Sequence, residues 1–323
     1  MNMKPSFLLV VCFVFSGFLF SCTSQARVAR AEEYYALGMA YLDLGRYEEA
    51  EKWLSQARFL DKTKLASEYN LGRIAFETGR YEEAIKFFDG ILERDPDNVM
   101  ALKSAAYTSI KTGDFERAEA LYERVLLLEP ESADDGYNYA LVLNAVKKPE
   151  KAEEVLSKYP YALLDNKDIL LLYARSQGAQ RKPEAVDSYS RWLLNNSEPQ
   201  VQYEFALVLE ENGLYARSLE EYRKLLVTLP SDAGAPEGGL RKSAIQFAVA
   251  RLLLIADAEN PQGITELELA LSEGFSDTEA LNKLLEDENV TASAKDAIRK
   301  MIADLKSAKQ GSTDSTEGTD EGI

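Results

Sequence analysis

Gly45, Gly79 and Gly113 stand 34 residues apart, and each is followed two residues later by an aromatic: Tyr47, Tyr81 and Phe115. The same interval carries Leu37-Gly38 to Leu71-Gly72 and Ala105-Ala106, Ala50 to Ala84 and Ala118, and Ala57 to Ile91 and Val125. Pro96 and Pro130 close the second and third units. A chain that repeats at such an interval stacks copies of one supersecondary unit, because a single copy cannot bury its own apolar face. The residue types point to a pair of helices. Small residues on the first helix (Gly38, Gly72, Ala106) and on the second (Ala50, Ala84, Ala118) let the two axes approach closely. The glycines end the first helix where a left-handed backbone costs least, and the prolines stop the second after Asp95 and Glu129.

Beyond Pro130 the pattern thins. Tyr139-Ala140 with Ala152 gives a fourth unit in which Lys147-Lys148-Pro149 replaces the turn glycine, and Leu172–Gln177 with Pro183–Leu194 gives a fifth, one residue short between Ala174 and Ala185. Phe205-Ala206, Gly213, Tyr215, Ser218, Tyr222 and Pro230 restore the template in a sixth. These residues at this spacing resemble the tetratricopeptide repeat, over roughly Ala31 to Ser231 and less distinctly to Gly274. The resemblance implies an all-α fold, an α-solenoid or superhelix of stacked hairpins over 31–232. Residues 233–306 then read as a helical extension and cap, with helices over Leu240–Ala256, Pro261–Ser272, Asp277–Leu285 and Ala292–Leu305. Lys295, Asp296, Arg299, Lys300, Asp304 and Lys306 give the last of these a polar face that ends the stack in water. Residues 307–323 read as a disordered acidic tail.

The first 26 residues hold one charge, Lys4, ahead of an apolar run from Phe7 to Phe20 interrupted only by Ser16 and Gly17. The run is shorter than the roughly 20 residues a spanning helix needs, so residues 1–21 read as a signal peptide. Leu19-Phe20-Ser21-Cys22 resembles the lipobox of bacterial lipoproteins, although Phe20 occupies a position that is usually small. That resemblance implies cleavage before Cys22, acylation of Cys22, a short tether over 22–30, and an exported protein anchored to a bacterial membrane, facing the periplasm or the exterior. An uncleaved anchor and an ordinary secretory signal are the other readings.

Composition removes much chemistry. The chain has no histidine, and both cysteines, Cys12 and Cys22, lie in or beside the apolar run. Imidazole-dependent triads, histidine zinc sites, iron–sulfur clusters and structural disulfides are therefore excluded from the repeats. A net charge of -17 argues against a nucleic-acid partner. Asp95-Pro96-Asp97-Asn98 and Asp134-Asp135 lack the order of a calcium loop and read as interhelix turns with capping acids. Pro236-Glu237-Gly238-Gly239 lacks the Lys-Ser/Thr follower of a phosphate loop. Glu82-Glu83 and Glu220-Glu221 read as solvated faces of second helices. No cofactor, metal or catalytic residue is expected, and an enzyme is not.

In arrays of this family the second, fifth, ninth, twelfth and thirteenth positions of each unit face a concave groove. The fifth position reads Tyr35, Tyr69, Lys103, Tyr137, Leu171 and Tyr203, and the ninth reads Met39, Arg73, Tyr107, Leu141, Arg175 and Leu207. The resemblance thus implies a partner-binding groove built on Tyr35, Tyr69, Arg73, Lys103, Tyr107, Tyr137, Arg175 and Tyr203. Tyrosine offers a large rigid contact with a hydroxyl, and arginine a cation on an acidic protein. The same tyrosines could instead pack between repeats as ordinary core. A chaperone-type carboxylate clamp is absent: only Lys103 fits it, and Asn70 falls outside the groove positions. The resulting expectation is a membrane-tethered scaffold that binds a protein or peptide, as an assembly or docking subunit. Two alternatives stand beside it: a periplasmic small-ligand-binding component of a transport system, and a structural envelope protein that oligomerises through its ends.

Overall fold

The computed structural model describes residues 29–59, 62–256 and 261–314, with side chains to residue 307. The expected signal peptide, Cys22 and most of the 22–30 tether lie outside these residues, as do 315–323. The described residues are helical throughout, with no strand among them. They divide into two compact units, one ending at Asp165 and the other beginning at Asn166.

The first unit holds four hairpins. The helix over 29–43 (α1) pairs with Tyr47–Ala57 (α2), Lys64–Glu77 (α3) with Tyr81–Leu92 (α4), Val99–Thr112 (α5) with Phe115–Leu128 (α6), and Ala133–Ala145 (α7) with Pro149–Ser157 (α8). A four-residue helix, Ala162–Asp165 (α9), follows. α2, α4 and α6 also pack on α3, α5 and α7, which is what makes the hairpins of this unit a stack. Ala50, Ala84 and Ala118 are fully buried, as the repeat predicts. The facing glycines are equally constrained: a Cβ on Gly38 would fall 2.6 Å from Leu54 Cγ, and one on Gly72 would fall 2.7 Å from Phe88 Cε1. Leu54, Phe88, Ile91 and Val125 fill the space so framed, each contributing about 1.5–3 kcal/mol by leaving water.

The turns explain why the fourth and fifth units persist without their glycine. Gly45, Gly79 and Gly113 have φ of 69°, 76° and 79°, and the same left-handed state is held by Lys147 at 60° and Arg181 at 56°. The hydrogen bonds are the same as well. In the second repeat Gly79 N bonds Phe76 O and Arg80 N bonds Ala75 O; in the fourth repeat, Lys147 N bonds Asn144 O and Lys148 N bonds Leu143 O. This pair of bonds terminates a helix whatever the side chain, so the backbone pattern survives the loss of its preferred residue. Side chains of Asn98, Asp114 and Ser132 cap α5, α6 and α7 by accepting from backbone N–H groups.

The second unit holds Lys167–Ala179 (α10) with Glu184–Leu193 (α11), Pro199–Glu211 (α12) with Tyr215–Thr228 (α13), Lys242–Ala256 (α14) with Gln262–Ser272 (α15), and Thr278–Glu286 (α16) with Ala292–Asp314 (α17). The compact division thus falls after the fourth hairpin, and the fifth and sixth join the extension that the sequence set apart at 233. α14 is buried on nearly every side, between α13 and α15, which is why it reads as apolar without a polar face. The last helix runs to Asp314 instead of stopping at Leu305, so the beginning of the stretch expected to be disordered is helical. Ala294, Ile298 and Ile302 bury one face of α17, while Asp296, Arg299, Lys300 and Asp304 are exposed, in keeping with a terminal cap.

Candidate functional site: the first-helix face of the N-terminal unit

Two cavities lie along the first helices of the N-terminal unit. One, of 390 Å³, is lined by Tyr35, Met39, Leu65, Ala66, Tyr69, Asn70, Arg73, Ile91, Asn98 and Met100. The other, of 200 Å³, is lined by Tyr69, Arg73, Phe76, Glu77, Phe88, Ser104, Tyr107 and Thr108. Tyr69 and Arg73 belong to both, so the cavities adjoin at the second repeat. The larger volume falls within the roughly 300–1,000 Å³ of ligand pockets, and the smaller has room for little more than a side chain.

Tyr35 and Tyr69 each line a cavity and also make a contact between repeats. Tyr35 is half-buried against the Leu54–Ile74 core, and its hydroxyl accepts from Asn70 Nδ2 at 3.3 Å. Tyr69 packs its ring 5.9 Å from that of Phe88 and shares a hydrogen bond with Ser104 Oγ at 3.2 Å. Each hydroxyl therefore reaches the first helix of the next repeat while the ring lines a cavity. Tyr107 is 45% exposed, its ring 5.3 Å from Phe76 on one side and beneath Lys111 Nζ on the other.

Arg73 is exposed and donates to Asn70 Oδ1 at 3.1 Å. Asn70 is 5% exposed, and its amide nitrogen is spent on Ala66 O and the Tyr35 hydroxyl. Asn70 stands outside the family's groove positions, yet its side chain forms part of the larger cavity's wall and accepts a hydrogen bond from Arg73. Phe76 and Met100 were also missed, although they occupy the twelfth and second positions of their units and could have been read from the same register.

The remaining expected residues behave differently. Lys103 is committed within the protein, to Glu129 at 2.6 Å and to the buried Asp135 at 2.7 Å. Burial alone would depress its ammonium, but the close carboxylates of Asp135 and Glu129 outweigh that and hold it above the usual lysine value. Asp134 and Asp135 lie in the first turn of α7, as expected, but the side-chain cap is Ser132, and Asp135 in addition holds Lys103. Tyr137 is half-buried on α7 and lines neither cavity. In the second unit Arg175 makes a two-pronged pair with Glu204, at 2.9 and 3.1 Å, and this bond holds its guanidinium above the ordinary value against the opposing effect of burial. Tyr203 packs its ring 6.0 Å from that of Tyr222, against the core of the sixth hairpin.

Among the described residues no cluster of three or more cysteine or acidic side chains could hold a metal ion, and no helix is long and apolar enough to cross a membrane.

Comparison with known proteins bears on the scaffold that carries this face. Two tetratricopeptide-repeat family models match, one over residues 26–64 and 35–99 and the other over 109–176. No curated protein matches the chain. A solved tetratricopeptide repeat protein from Parabacteroides merdae is similar over 80% of this chain and 98% of its own, at 19% identity and a TM-score of 0.51. A crystal structure of MamA is similar over 51% of this chain and 91% of its own, at 17% identity and a TM-score of 0.48. Tetratricopeptide repeats are thus matched over residues 26–99 and 109–176, and each of the two compact units is an all-α set of helical hairpins.

Proposed function

We propose that the protein is a docking or assembly scaffold, tethered outside the cytoplasm through a lipid on Cys22, whose first-helix face in the N-terminal unit binds a segment of another protein. The observation that carries the reading is the sharing of Tyr69 and Arg73 by two adjoining cavities, one apolar and of ligand size. A surface of this kind offers a central aromatic–arginine pair of the type in which binding energy concentrates. The residues involved come from three consecutive repeats, as a groove for an extended segment requires. No catalytic role is assigned to any residue.

The capture test uses native membranes. Crosslinking followed by affinity capture recovers a partner with the wild-type protein, and Arg73→Glu, an exposed position, reduces recovery at least ~10-fold without altering the melting transition. Equal recovery by both would remove this face from the reading. The tether is tested separately by detergent partitioning. The mature wild-type protein enters the detergent phase, whereas Cys22→Ser stays soluble or remains an uncut precursor; stable anchoring takes more than one acyl chain. A Cys22→Ser protein cleaved at that site and still membrane-bound would exclude lipidation.

A small-ligand reading draws on the same 390 Å³ cavity, with its walls of Tyr35, Met39, Leu65 and Met100. It predicts an organic molecule released on denaturation of protein purified from its source, with no protein captured.

A further inference from the structure

Arg73 lines both cavities and makes no ion pair among the described residues. Arg80, Arg94, Arg117 and Arg124 each meet a carboxylate, whereas Arg73 has only the Asn70 amide among the described residues. In a chain with 54 acidic and 37 basic side chains, an arginine without an acid at the junction of two cavities is an exposed recognition group. Asn70 accepts from one of the five N–H donors of Arg73, leaving the others for a further partner. Glu77, one turn along the helix from Arg73, also lines the smaller cavity, and Lys111, of opposite charge, lies over the Tyr107 ring. The local preference is therefore set by Arg73. Lys103, the nearest alternative cation in the stripe, is held by Glu129 and Asp135.

We propose that the segment bound here is an extended internal peptide. It places one large apolar side chain, aromatic or aliphatic, in the larger cavity and the carboxylate of an adjacent aspartate or glutamate on Arg73. The proposal rests on the groove reading above and adds the chemistry of the partner. Met39 and Met100 give the cavity adaptable walls that accept more than one apolar shape. The guanidinium edge matches a carboxylate with two parallel hydrogen bonds, which fixes where the acid must stand relative to the apolar side chain. Glu77, on the wall of the smaller cavity, disfavours a run of acids there.

The test is selection of random short peptides displayed on phage against the full chain, repeated with Arg73→Glu and Tyr69→Ala. Wild-type protein enriches peptides with Asp or Glu beside Phe, Tyr, Leu or Met. In fluorescence anisotropy the consensus peptide loses at least ~10-fold in affinity when its acid becomes Lys, and Arg73→Glu reverses that preference. An enriched consensus without an acid, or an acid preference that Arg73→Glu leaves unchanged, overturns the proposal. If such peptides nevertheless weaken on Tyr69→Ala, the groove reading stands while the carboxylate fails. If no peptide is enriched, or if binding ignores both substitutions, the groove reading falls as well.

Discussion

The hydroxyl of Tyr69 lies 3.2 Å from that of Ser104, across the seam between the second and third repeats. One side chain thereby supplies the wall of a cavity and a polar stitch between neighbouring units. Truncation at such a position alters two properties at once, so the choice of substitution decides what an experiment reads.

Tyr69→Phe keeps the ring against Phe88 and deletes the stitch, and its expected cost is about 0.5–1.5 kcal/mol in urea unfolding. Tyr69→Ala also removes a half-buried ring. Its cost should exceed that of the Phe variant yet stay below the ~3–5 kcal/mol of a fully buried aromatic. Equal stability of the two variants would mean that the ring contributes nothing to the seam.

Lys147 and Arg181 hold a left-handed backbone that costs a side-chain-bearing residue roughly 1–2 kcal/mol. Replacing either with Gly relieves this but adds freedom to the unfolded chain. The expected net gain is about 0.5–1 kcal/mol each, seen as a rise in the denaturation midpoint. The reciprocal Gly113→Ala should be destabilising, because the turn it occupies has the same geometry.

Gly136 sits under the ring of Tyr159. A Cβ there would lie 2.2 Å from Tyr159 Cε2, so Gly136→Ala must displace a ring whose hydroxyl donates to Pro130 O at 3.0 Å. The expected cost is about 1–3 kcal/mol, with hydrogen exchange rising first in α7 and α8. Unchanged exchange would show that Tyr159 yields without loss.

Lys103 and Asp135 form a pair that is nearly buried on one side only: the Asp135 side chain is 6% exposed and that of Lys103 35%. Lys103→Ala leaves a buried carboxylate without its cation, costing about 1–3 kcal/mol, and adding Asp135→Asn should recover most of it. The pH dependence has a definite sign. The folded Lys103 pKa is raised, so its contribution is complete below the unfolded value of about 10.4 and is lost as pH rises through the folded one. Alkaline unfolding should thus be less steep in the double variant. Identical profiles would remove Lys103 from the alkaline transition.

The register of helices, the tight alanine contacts and the place of each turn were legible in the linear chain. A repeat of 34 residues puts equivalent side chains in equivalent contacts, and Ala84 or Gly72 can occupy only one kind of position in such a stack. The candidate site was legible in part. Tyr69, Arg73 and Tyr107 were named from their register, and the structure brings them together along two adjoining cavities. What the register could not supply was pairing, since that depends on which side chains meet across the seam. Lys103 and Arg175 look as available as Arg73 in the linear chain. Only in three dimensions do Asp135 and Glu204 claim the first two, while Asn70 holds the third with an amide that carries no charge to satisfy it. Periodicity determines where a side chain stands, and the tertiary contacts decide whether its charge is already spent.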